Sequence, residues 1–173
     1  TGCAVFAHNE LKLFYDGGGG ATNWLGRIGL AISAPLPAGT YTVGTGGNFA
    51  TIQEAFNKLE TDGVAGNVTL ELIDELYSAP ADSFGFKLVG PIPGAGPNSR
   101  VTITPAQNKS VTLEGNGRNV LFFMNTSYVT LDGVELTGAT TLTVHSSTNT
   151  QFDINNAVGV YENSDYNNFK NLI

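Results

Sequence analysis

The sequence predicts an all-β solenoid: a parallel β-helix with an N-terminal capping α-helix and a small β appendage. Three observations predict it. The stretch Val120, Phe122, Phe123, Asn125, Thr126, Tyr128, Leu131, Val134 recurs 38 positions later as Val158, Val160, Tyr161, Asn163, Ser164, Tyr166, Phe169, Leu172. An apolar strand, an asparagine turn and a tyrosine returning in one register is what stacked windings require. Short apolar runs elsewhere alternate with a period of two, as half-buried strands do. Finally, only 13% of the 173 residues are charged, against about 25% in an average domain. Polarity comes instead from the hydroxyl and amide groups that suit turns and exposed strand faces.

The elements follow in order. Residues 1–39 read as a β appendage or the end of a preceding domain, with strand-length apolar runs at Cys3 to His8, Leu11 to Tyr15 and Arg27 to Ile32. Asp16 and the four glycines after it form a turn, because the Lys and Ser or Thr of a phosphate-binding loop do not follow them. Pro35, Pro37 and Gly39 mark the boundary. Residues 40–173 then hold the capping helix and the first coils of a β-helix that stops in mid-coil.

The helix begins at a capping box. Thr51 accepts from the Glu54 N–H, and Glu54 is expected to return a bond to the Thr51 N–H. Ile52, Ala55, Phe56 and Leu59 fall on one stripe, Gln53, Glu54, Asn57 and Lys58 on the other side. Gly63 closes it, with the left-handed conformation expected there. A helix with one apolar stripe ahead of stacked strands reads as a lid over the open end of the coil. The strands follow: Val68 to Ile73 with Val68, Leu70 and Leu72 inward, Val101 to Thr104, and Val111 to Glu114. Pro91, Pro93, Gly94, Gly96 and Pro97 form a loop between them.

Composition sets other limits. With 41% hydrophobic residues the chain can bury a real core, and 8 basic against 15 acidic residues, with no basic cluster, argue against a nucleic-acid partner. Cys3 is the single cysteine and reads as a small buried hydrophobe, so no intrachain disulfide is expected. No run approaches the ~20 apolar residues of a membrane helix. The chain starts at Thr1, not Met, which fits removal of a leader or of an earlier segment. The expected location is secreted, extracellular or cell surface.

The segment Tyr41-Thr42-Val43-Gly44-Thr45-Gly46-Gly47-Asn48-Phe49-Ala50-Thr51-Ile52-Gln53-Glu54-Ala55 resembles the entry of the pectin lyase-like proteins, whose fold is a right-handed parallel β-helix. Asn125 to Val134 and Asn163 to Leu172 look like coils of large bacterial surface proteins of that fold. The resemblance covers about residues 40 to 173 and implies fold far more than activity. It implies that Asn125 and Asn163 stack amide upon amide, a role that competes with glycosylation of the Asn67, Asn108 and Asn125 sequons.

Candidates for chemistry are few. Asn163-Ser164-Asp165 looks like part of a polygalacturonase acid motif, but its equivalent one coil earlier, Asn125-Thr126-Ser127, holds no acid. Asp132, Glu135, Glu162 and Asp165 form an acidic stripe that reads either as a Ca²⁺ site or as a solvated polar face, the latter being favoured; no other cofactor is expected. Asp74 and Glu75 are a similar case. His8 and His145 read as isolated surface histidines. Trp24 and Tyr77, with Tyr161 and Phe84, are candidate platforms for sugar rings, weighed against a core role. The functional expectation is a secreted or cell-surface scaffold that is adhesive or carbohydrate-contacting through its loops. The alternatives are a polysaccharide lyase, hydrolase or esterase with its active residues on later coils, and a fragment of a larger secreted assembly. Expected partners are glycans or cell-surface molecules, with the rest of a parent β-helix or a partner chain over the open coil end.

Overall fold

The computed structural model describes residues 34–80, 84–147 and 156–173, together with the backbone of two strands near the start. Those strands, β1 (Cys3–Ala7) and β2 (Glu10–Phe14), pair antiparallel, with Cys3 opposite Phe14 and Ala7 opposite Glu10. They belong to a compact unit, Thr1–Ser33, distinct from Ala34–Ile173. His8, the glycine run, Trp24 and the expected strand from Arg27 lie outside the described residues.

The larger unit is a parallel β-helix of about three turns. A lead-in strand, β3 (Gly39–Val43), precedes the helix α1 (Ile52–Asp62). The first winding holds β4 (Val68–Leu72), β5 (Leu76–Ser78) and β6 (Phe86–Val89). The second holds β7 (Val101–Pro105), β8 (Ser110–Gly115) and β9 (Asn119–Met124). The third holds β10 (Val129–Asp132), β11 (Thr141–Ser146) and β12 (Asn156–Tyr161), and β13 (Asn168–Lys170) opens a fourth. Each winding gives one strand to each of three parallel sheets, ordered β3-β4-β7-β10-β13, β5-β8-β11 and β6-β9-β12. Parallel strands need a long crossover to return, and here the other two sheets serve as that crossover.

Inward residues stack in columns along the axis. Leu70 lies beside Ile103, Ile103 beside Leu131, and Leu131 beside Phe169. Tyr77, Leu113 and Val144 form a second column, and Leu88, Phe123 and Val160 a third. Leu88, Leu113 and Phe123 are fully buried, each such side chain contributing roughly 1.5–3 kcal/mol. The period-two alternation anticipated for Val68, Val101 and Val111 onward is present in each strand.

The winding length is not constant, and the 38-residue recurrence holds in register only for its second half. From Val68 to its partner Val101 is 33 residues, from Val101 to Val129 is 28, and from Thr130 to Asn168 is 38. The 38-residue repeat therefore belongs to the last winding alone, and only to part of it. In β9 and β12 the partners are Leu121 with Val158 and Phe123 with Val160, 37 apart. The extra residue enters at Glu162 and Asn163, both at positive φ (41° and 22°), where the Asn125 N–H is shared between the carbonyls of Tyr161 (3.2 Å) and Glu162 (3.3 Å). This is a bulge, which absorbs one residue and changes the register on either side.

The helix closes the start of the stack. Ile52, Ala55, Phe56 and Leu59 are buried as the stripe predicts, and the Phe56 and Phe123 rings lie 6.2 Å apart. Thr51 accepts from the Glu54 N–H at 3.1 Å, but the Glu54 carboxylate takes the N–H of Ala50 (2.8 Å), one residue before the expected Thr51. Gln53, expected to face away, is half-buried against β6. Its amide donates to the Lys87 carbonyl (2.8 Å) and accepts from the Lys87 N–H (2.9 Å), while Glu60 accepts from the Val89 N–H at 2.7 Å. Because β6 is the first strand of its sheet, these backbone groups have no neighbouring strand on that side, and helix side chains take its place. Gly63 has positive φ (73°) with an extended ψ of −159°, not the left-handed helical ψ. A Cβ there would sit 2.1 Å from the Pro93 carbonyl oxygen, so close approach excludes any other residue.

Removing an edge cap should therefore destabilise the coil out of proportion to the few atoms lost. Glu60→Ala is expected to cost about 1–2 kcal/mol, the cost of leaving a partly buried N–H unpaired. Glu60→Gln, which keeps an acceptor, should cost well under half of that. Urea unfolding midpoints of the three proteins check the ordering.

Candidate functional site

The second sheet, β5-β8-β11, carries the candidate site on its outer face. Inward Tyr77, Leu113 and Val144 alternate with outward Ser78, Glu114 and His145, because successive side chains on a strand point to opposite faces. Pairing sets Ser78 beside Glu114 and Glu114 beside His145, one residue from each of three windings. Ser78 Oγ donates to Glu114 Oε1 at 3.1 Å. The row lines a groove of about 350 Å³ with Ala79, Gly115, Asn116 and Ser147. Backbone bonds hold the strand ends together there: the Ala79 N–H reaches the Glu114 carbonyl (2.7 Å), and the Ser147 N–H and Oγ both reach the Gly115 carbonyl (2.9 and 3.2 Å). The small Ala79 and Gly115 leave space between polar walls. A carboxylate, an imidazole, hydroxyls and an amide facing one opening offer donors and acceptors in the mixture that a hydroxyl-rich ligand uses.

Sequence reasoning left His145 isolated and did not single out Ser78 or Glu114 as a site. The three are separated by 36 and 31 residues, intervals that carry no periodic signal. Only the pairing register makes them neighbours.

The anticipated aromatic platforms fare differently. Tyr77 is a core residue, 7% exposed: its hydroxyl donates to the Val43 carbonyl and accepts from the Asp74 N–H at 3.0 Å. Burial, with the nearby Asp74 carboxylate, raises its phenol above the usual value. Tyr77 thus presents no ring face to a sugar, and Trp24 lies outside the described residues. Phe84, Phe122 and Tyr161 form an outward ladder, with centroids 5.0 and 4.8 Å apart. Tyr161 sits beside Met124 in register, but Gly159 lies opposite Phe122. A Cβ at Gly159 would meet the Tyr161 ring at 2.6 Å, so the missing side chain is what lets Tyr161 fold back over Phe122. Phe122 and Tyr161 stack with their planes 27° apart, whereas Phe84 meets Phe122 edge-on at 72°. Tyr128 and Tyr166 stack likewise, 5.1 Å apart and 9° from parallel, with Arg100 over Tyr128.

The expected amide pair is not formed. Asn125 and Asn163 lie in the same corner of successive windings, but the Asn125 amide donates to the Gly90 carbonyl (3.2 Å), and the Asn163 backbone carbonyl accepts from Ser127 Oγ (3.2 Å). The bulge separates the two amides. The amide ladder lies instead at Asn119 and Asn156, in register at 37 residues, where Asn156 Nδ2 donates to Asn119 Oδ1 at 3.3 Å. Asn119 is buried, which gives that bond its structural weight.

The acidic stripe is divided among separate partners. Asp132 pairs with Lys170 at 2.9 Å and accepts from the Val134 N–H (3.0 Å) and Asn171 Nδ2 (3.1 Å). Glu135 accepts from the Thr140 N–H at 3.3 Å, and Glu162 and Asp165 are exposed on the following turn. Asp74, the other acid considered, accepts from the Thr45 N–H and hydroxyl (2.8 and 3.1 Å). Among the described residues no three His, Cys, Asp or Glu side chains converge as a metal site would.

No protein-family model, curated protein or solved structure matches this chain.

The Asp132 cluster yields a pH-dependent expectation. Partial burial opposes ionisation, but the Lys170 ammonium, the Val134 N–H and the Asn171 amide outweigh it and hold the carboxyl below its ordinary range. A depressed native pKa contributes stability that is present above the unfolded value of about 3.9 and lost as pH falls through the native one. Asp132→Asn should therefore destabilise the coil near neutral pH by about 0.5–1 kcal/mol, and the gap should close in strong acid. Denaturant titrations of both proteins across that range would reveal a pH-independent gap if the ionised carboxylate were irrelevant.

Proposed function

We propose that the coil is a secreted or cell-surface scaffold of the pectin lyase-like kind, whose outer groove on β5-β8-β11 holds glycans. The observation that carries this reading is the in-register row Ser78, Glu114, His145 along a groove with polar walls. Hydroxyl pairs on a sugar both donate and accept, and the row meets both needs: the Glu114 carboxylate and Ser78 hydroxyl oxygens accept, and the His145 ring can donate. The low charge and abundance of hydroxyl and amide side chains accord with an extracellular setting. Turnover is the weaker alternative: glycoside hydrolysis takes two carboxyl groups about the scissile bond, and among the described residues Glu114 is the one acid lining the groove. For the reading as an enzyme, active residues would have to come from other coils.

A specific observation favours a second role, as part of a larger assembly. Val160 and Phe169 are 42% and 39% exposed, although their column neighbours Phe123 and Leu131 are fully buried. Tyr166, stacked on Tyr128 through one face, is 70% exposed. We propose that another β-coil covers this end, as α1 covers the other. Among the described residues no helix is long and apolar enough to cross a membrane, so this surface is not part of such a span.

Two experiments test these roles. Calorimetric titration with a panel of oligosaccharides is expected to show binding without product, weakened about tenfold, or 1.4 kcal/mol, by Glu114→Gln or His145→Ala. Wild-type affinity in both variants would remove the groove from the account. Light-scattering mass against concentration should show association that Phe169→Glu suppresses; a monomer at all concentrations would count against a covered end.

A further inference from the structure

Resting on the groove reading above, we propose that the groove selects amine-bearing glycans, polymers of 2-amino-2-deoxy sugars, over neutral ones and excludes uronates. Its charge pattern decides this. Glu114 is half-buried at the centre of the row, and its one side-chain hydrogen bond among the described residues comes from Ser78 to Oε1. The carboxylate's remaining acceptor capacity faces the groove, where partial removal from water strengthens its attraction for a cation. Among the described residues no Lys or Arg lines the groove. A uronate carboxylate placed there would meet Glu114 with no cation to offset the repulsion. The exposed His145 imidazole can bond sugar hydroxyl groups, and Ser147, whose Oγ donates to the Gly115 carbonyl, keeps acceptor capacity. The net charge of −7 adds a diffuse field that disfavours polyanions.

The ligand class thus follows from one carboxylate without a countercharge. An ammonium supplies three donors and the missing positive charge; a hydroxyl supplies only a neutral donor. The volume of about 350 Å³ lies at the small end of ligand sites, roughly 300–1,000 Å³, and suits a sugar residue or a short stretch of chain, not a large aglycone.

The test is calorimetric titration of the full chain, at neutral pH, with tetramers of glucosamine, glucose and galacturonic acid. Glucosamine is expected to bind about tenfold tighter than glucose, with galacturonate showing no binding. Glu114→Gln should bring glucosamine and glucose to equal affinity while glucose binding persists. Glu162→Gln, an exposed acid on another turn, should leave the preference intact, which separates local recognition from general attraction of a cation to an acidic protein. Galacturonate binding as tightly as glucosamine, equal wild-type affinity for glucosamine and glucose, or a preference that survives Glu114→Gln would overturn the proposal and leave a glycan groove standing. Binding of none of the three would remove this selectivity, and failure of the wider panel as well would remove the groove reading itself.

Discussion

Every strand of a parallel stack needs a neighbour on each side, and at the start of this one a helix and a lead-in strand supply it. At the start, β3 adds a strand below β4, while Gln53 and Glu60 of α1 bond the backbone of β6 as a strand would. The helix therefore does two things at once: its apolar stripe covers the core columns, and two polar side chains satisfy an edge. In the last described strands the column residues Val160 and Phe169 are partly exposed.

The same pairing that builds the core builds the groove. Because inward and outward positions alternate, fixing Tyr77, Leu113 and Val144 in one column fixes Ser78, Glu114 and His145 in another. A functional row on the outside is thus registered by hydrophobic packing on the inside. A one-residue slip would exchange the faces, burying a carboxylate and an imidazole. Such a slip is absorbed between β12 and β13 by the bulge at Glu162 and Asn163, in a turn, where no row is interrupted.

Turn length is the free variable of the fold. Windings of 33, 28 and 38 residues share the same three sheets because insertions at corners cost little loop entropy. That tolerance is what hid the site. Where strands remain near-equidistant in sequence, as Tyr128 and Tyr166 do, the neighbour is legible; where the intervals differ, as for Ser78, Glu114 and His145, it is not. Even the asparagine ladder was hidden by one residue: at 38 the pattern points to Asn125 and Asn163, and at 37 to Asn119 and Asn156, which are the ones bonded.

What the sequence determined by itself was local. Period-two alternation specified the strands and their inward residues, the Thr51 and Glu54 cap with its apolar stripe specified the helix, and together they sufficed for a solenoid with a lid. These signals act over a few residues, so they are written contiguously. The tertiary structure alone decided the register: which amides bond, that Gln53 faces an edge and not solvent, that Tyr77 is core, and that a serine, a glutamate and a histidine from three windings share one groove. Register is a property of pairs of strands separated by loops of arbitrary length, and no single stretch of chain contains it.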